Sequence, residues 1–227
     1  MALRSLPHRS VLAAAAILSL LGASAGASLA RSTSSTPTDA TFTAGSWVLY
    51  LHNRPTPPVG NTTAQFALAL DATVPTAGSL NNYDTDCDLL AGRLIQSGGG
   101  LSSEATLCDY ANWQTAAYAA DRALNGTITL RIYAAKTGLA TNTTLIAFLR
   151  DFNPSTSGYA DLGSQSVLVN TLTQTMFTLA WSLNTTIPAG HKLELKIVAT
   201  GTLTNAILAY DTSGQQSRLV LLQIPAT

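Results

Sequence analysis

Short segments that alternate apolar and polar residues, each closed by turn chemistry, run through this chain and constrain its fold more than any other feature. Trp47, Leu49 and Leu51 share one face of an extended segment, and Ile128, Leu130, Ile132 and Ala134 share another. Phe177, Leu179, Trp181 and Leu183 alternate with smaller or polar neighbours. Leu193, Leu195 and Ile197 alternate with Lys192, Glu194 and Lys196, the pattern of a strand with one face buried and one in water. Shorter runs at 144–150, 167–172, 206–210 and 218–224 continue the series. Asn125-Gly126, Asn153-Pro154, Pro188-Ala189-Gly190 and Ser213-Gly214 supply turns between them. Many short strands of this kind predict an all-β, jelly-roll type β-sandwich in a single domain. One Ala-rich stretch from Glu104 to Leu124 fits either a short helix over 108–120 or an extended strand across 113–118.

Only part of the chain belongs to that domain. Arg4, His8 and Arg9 precede an apolar run from Val11 to Leu21, and small residues then offer cleavage after Ala25, Ala27 or Ala30. This is the layout of a secretory signal peptide over 1–30, followed by a Ser/Thr/Pro-rich tether over 31–40 and the sandwich over 41–227. The expected product is secreted, extracellular or periplasmic, with no membrane span after cleavage.

Two cysteines, Cys87 and Cys108, remain in that oxidising compartment. One intramolecular disulfide is the expectation, with two buried free thiols as the alternative. The chain is 11% charged and 46% hydrophobic, enough apolar material for a sizeable core. Cleavage leaves ten Lys/Arg against twelve Asp/Glu, a net charge of −2, with no basic stripe. Nucleic acid is therefore not an expected partner. Asn61, Asn125, Asn142 and Asn184 head N-x-Thr sequons, which matter only in a glycosylating host.

In the second half, Leu124-Asn125-Gly126-Thr127-Ile128-Thr129-Leu130 is followed by Leu145-Ile146-Ala147-Phe148-Leu149-Arg150-Asp151. Ile187-Pro188-Ala189-Gly190-His191-Lys192-Leu193-Glu194-Leu195 comes next, and Ser217-Arg218-Leu219-Val220-Leu221 closes the order. This order, over about the last 100 residues, resembles the C-terminal jelly-roll domain of the X-prolyl dipeptidyl-peptidase and cocaine-esterase families. The resemblance implies a galactose-binding-like sandwich with a packing or accessory role. In those families a separate α/β-hydrolase domain carries catalysis, and this chain has no room for one. Its Gly22-Ala23-Ser24-Ala25-Gly26 lies in the signal segment, without the strand and helix a nucleophile elbow requires.

Few residues suggest chemistry. Asp84, Asp86 and Asp88 alternate as calcium-loop carboxylates do, and a Cys87–Cys108 bond draws Asp109 towards them. A structural calcium ion is one expectation, a solvated acidic turn the other, because Leu89 stands where an EF-hand needs glycine. Zinc is not expected from His52 and His191, which lack partners at ligand spacing. Glu104 and Glu194 are the two glutamates, and nothing in the spacing selects a glycosidase pair. Trp113, with Tyr110 and Tyr118, fits either a sugar-stacking platform or packing beneath the Cys108 loop.

No catalytic residue is assigned. The expected role is a secreted, non-catalytic structural or adhesive protein whose partners are other surface proteins. A carbohydrate-binding module for polysaccharide is the alternative, and a small secreted hydrolase the third reading.

Overall fold

The computed structural model describes residues 46–56, 67–84, 87–98, 108–201 and 203–223. The expected signal segment and tether lie outside them. Among the described residues the regular structure is all strand. The elements are β1 (Ser46–Pro55), β2 (Leu68–Asp71), β3 (Arg93–Ile95), β4 (Ser97–Gly98), β5 (Tyr110–Gln114) and β6 (Arg122–Lys136). They continue as β7 (Thr143–Asn153), β8 (Gly158–Val169), β9 (Thr175–Ile187), β10 (Lys192–Thr200), β11 (Ala206–Ala209) and β12 (Arg218–Gln223).

The fifteen-residue β6 organises one layer. It pairs with β9 along one side, and with β12 and then β11 along the other, all antiparallel. The second layer runs β2-β5-β10-β7-β8. β1 joins the two, pairing with β12 through Ser46–Tyr50 and with β2 from Tyr50 to Pro55. Leu130 and Ile132 of β6, Leu179 and Trp181 of β9, Leu149 of β7 and Leu193, Leu195 and Ile197 of β10 meet in one core. Burial of a side chain of this size stabilises by about 1.5–3 kcal/mol, so the alternation read from sequence drives the collapse.

Three findings modify the sequence reading. The 108–120 stretch holds no helix, and its strand, β5, lies at Tyr110–Gln114 rather than across 113–118, overlapping the expected strand only at its first two residues. β8 begins nine residues before the expected 167–172 segment, because most of it is exposed on both faces and so lacks an apolar period. β10 is buried on both faces from Lys192 to Ala199, correcting the expectation that its Lys-Glu-Lys side faces water. The physical reason is its central place between β5 and β7, whose long side chains cover that side.

Candidate functional site

Cys87 and Cys108 form a disulfide with Cα atoms 5.7 Å apart, tying the acidic loop to the start of β5. Within that loop the N–H groups of Cys87 and Asp88 donate to the Asp84 carbonyl at 2.7 and 3.4 Å. The Asp84 carboxylate accepts from the Leu94 N–H at 2.7 Å, and that of Asp88 from the Leu90 N–H at 2.9 Å. Asp84 Oδ1 and Asp88 Oδ2 are buried without a hydrogen-bond partner. Burial pushes the Asp84 carboxyl up to about 6, against the Leu94 N–H and the Arg93 charge. Asp86 lies outside the described residues. Among the described residues no three metal-ligating side chains stand together, so Asp84, Asp88 and Asp109 form no assembled centre.

The aromatic residues resolve towards packing. Trp113 is 0% exposed and meets Tyr210 edge-on, with ring centroids 5.1 Å apart. Tyr110 is buried with the Lys196 ammonium 4.1 Å from its ring centroid, and Tyr118 packs partly buried against the core. Neither Trp113 nor Tyr110 presents an open face to a pyranose ring. That corrects the platform expectation at those two residues: β5 is an interior strand between β2 and β10, so its rings are enclosed, while Tyr118 follows the strand.

Sequence reasoning missed a row of polar side chains crossing four strands on the outer side of the second layer. Register places Gln114 of β5 opposite Glu194 of β10, Glu194 opposite Arg150 of β7, and Arg150 opposite Asp161 of β8. Gln114 Nε2 donates to Glu194 Oε2 at 2.6 Å, and Lys192 Nζ donates to Gln114 Oε1 at 3.2 Å. Arg150 Nε donates to Asp161 Oδ1 at 2.7 Å, while its Nη1 stands 3.8 Å from Glu194 Oε1. The guanidinium lies 3.9 Å from the centroid of Tyr159, which is 53% exposed. Arg150, Lys192 and Glu194 are all buried. Desolvation pulls the Lys192 ammonium down, opposed by Glu194. The only signal in the sequence was the concentration of charge in Lys192, Glu194 and Lys196, and alternation alone assigns those to solvent.

Both histidines have carboxylate partners. His52 Nδ1 lies 2.7 Å from Asp211 Oδ1, and its Nε2 lies 3.0 Å from the Thr73 carbonyl and 3.3 Å from Asp71 Oδ1. Arg54 also pairs with Asp71. His191 Nδ1 lies 2.8 Å from Asp151 Oδ1.

Among the described residues the two layers also end in unpaired edges. Among the described residues β8 pairs only with β7, and β9 only with β6. β9 runs thirteen residues, Thr-Met-Phe-Thr-Leu-Ala-Trp-Ser-Leu-Asn-Thr-Thr-Ile, without a charge or a proline.

No protein-family model matches the sequence, and the comparison with curated proteins found no match. Solved structures do match. An aminopeptidase from a marine-sediment Thaumarchaeota archaeon aligns at a TM-score of 0.54 and 10% identity, over 78% of this chain and 36% of its own. An α-amino acid ester hydrolase aligns at 0.52 and 13%, over the same shares. The likeness is one of fold. It bears out the resemblance of the second half to the hydrolases' jelly-roll domain and extends it towards the N-terminus. The chain spans about a third of the length of these relatives, and the matched part leaves their catalytic domain uncovered.

Proposed function

We propose that this chain is a secreted, non-catalytic β-sandwich with a structural or adhesive role at the cell surface or outside the cell. The observation that carries this reading is the pair of long edges, β8 and β9, that are unpaired among the described residues. Natural sheets blunt such edges with lysine, proline or a covering segment, because unpaired N–H and C=O groups recruit further strands. An uncharged edge thirteen residues long suits a protein that works by strand pairing. The solved relatives are hydrolases, and the likeness to them runs through a part without their catalytic domain.

The test uses the chain as secreted by an expression host, coated on beads and mixed with bare beads, with one another and with insoluble polysaccharides. Adhesion in any of these pairings supports the role. Inert beads in every pairing, together with hydrolysis of an ester or glycoside panel, would replace it with the hydrolase reading.

A second reading, carbohydrate binding, is favoured by Tyr159, an exposed ring over Arg150 beside the Asp161 carboxylate. Retention on a polysaccharide that Tyr159→Ala removes would support it, since sugar stacking needs a free aromatic face. Calcium at the Asp84, Asp86, Asp88 and Asp109 loop belongs to either reading as a structural ion.

A further inference from the structure

We propose that β8 and β9 together form a homophilic docking edge, on which a second copy of this chain pairs strand to strand about a two-fold axis. This deepens the structural and adhesive reading by naming the partner, and it rests on that reading.

Both edges lie on the same side of the sandwich. Gly163 of β8 faces Trp181 of β9, close enough that a Cβ on the glycine would stand 3.1 Å from the indole Cδ1. Trp181 is the middle residue of β9, and Gly163 is next to the middle of β8. A single axis normal to the layers, beside these two residues, sets β8 antiparallel to its copy and β9 antiparallel to its own. Each pairing then has full overlap, and each layer continues through the interface as one sheet. An isologous contact of this kind closes on itself and needs one patch only.

Charge selects a copy as the occupant. A charged edge repels its own copy, because like charges directly across a ladder are destabilising. β9 carries no charge, and the one charge of β8, Asp161, is already neutralised by Arg150 at 2.7 Å. The edge at β3 differs, being three residues long and headed by Arg93.

The area is also sufficient. A strand of thirteen residues at about 3.3 Å each gives an edge of roughly 40 Å, and two layers about 10 Å apart with their outer side chains give a width of roughly 20 Å. The footprint of roughly 800 Å² per copy is that of a standard stable interface.

The experiment is sedimentation of the chain as secreted by a non-glycosylating host, compared with two double variants. With the axis at Trp181, Ala180 of one copy faces Ser182 of the other, and both side chains are exposed. Ala180→Lys with Ser182→Lys puts like charges across the axis, as does Ala180→Glu with Ser182→Glu. Near-ultraviolet dichroism verifies that each variant keeps its fold. The expected result is a dimer of the natural chain, monomers of each variant alone, and a dimer restored when the two variants are mixed.

A monomeric natural chain overturns the proposal, and so does an open-ended series of larger species. Monomers that dimerise only after removal of 31–42 overturn it too, since that segment would then occupy the edge within its own chain. A monomer whose beads still adhere to a polysaccharide would sink this inference while leaving the adhesive reading standing.

Discussion

Gly163 lies across the sandwich from Trp181 in a tight contact: a Cβ there would stand 3.1 Å from the indole Cδ1, so the ring would have to shift by a few tenths of an ångström. The glycine also sits at φ 156°, where other residues are strained. Its absent side chain lets β8 approach β9 closely at the open side of the fold. Gly163→Ala is expected to destabilise by about 1–3 kcal/mol through overpacking. Urea unfolding followed by tryptophan fluorescence measures this, and an unchanged midpoint would show that the two edges are not clamped here.

The polar row across β5, β10, β7 and β8 predicts an asymmetry between substitutions. Arg150→Leu removes the cation that Glu194 and Asp161 share and is expected to cost about 3 kcal/mol. Glu194→Gln keeps a carbonyl oxygen for the Gln114 amide and should cost nearer 1 kcal/mol. Equal midpoints for the two variants in thermal melts would contradict the row as a charge-paired unit.

Asp84 predicts a pH dependence. Its carboxyl titrates at 3.8 when unperturbed and at about 6 in the fold, raised by desolvation. Between those values the folded chain holds a proton that the unfolded chain releases. This group's contribution to stability therefore falls as pH rises from 3.8 to about 6 and is level above that. The difference between the natural chain and Asp84→Asn across that window isolates the effect. A constant difference would show that Asp84 ionises freely.

A calcium ion at the acidic loop, as proposed above, would act on the same group in the opposite sense and would have to draw its carboxylates together, because a cation stabilises the ionised carboxylate. At neutral pH the melting temperature is expected to rise with calcium and return with chelator, and Asp86→Ala should abolish the rise. Identical melts in calcium and chelator would leave the acidic turn as a solvated loop.

Reducing the Cys87–Cys108 bond, which closes a 21-residue separation, should cost about 3 kcal/mol in the chain-entropy model. A Cys87→Ala, Cys108→Ala double variant should show the same loss. Melts indistinguishable from the natural chain would mean that the loop is already ordered without the bond.

Local pattern carried much of the fold. The alternating runs at 128–134, 177–183 and 193–197 became β6, β9 and β10, and their apolar members became the core. Runs of two or three residues, β3 and β4, are too short to show a period and were invisible. The candidate site was less legible. Lys192, Glu194 and Lys196 have the spacing of a solvated face, and only the neighbours brought beside them by β5 and β7 bury them. Trp113 carried no mark distinguishing a core ring from an exposed one.

By itself the sequence determined that this chain is built of strands and could be stapled between Cys87 and Cys108. Those properties follow from side-chain alternation and cysteine count, which are local. The tertiary structure alone decided that β10 is central and that β8 and β9 are edges. Exposure of a strand's face or side depends on what pairs across it, and those partners lie far away in the chain.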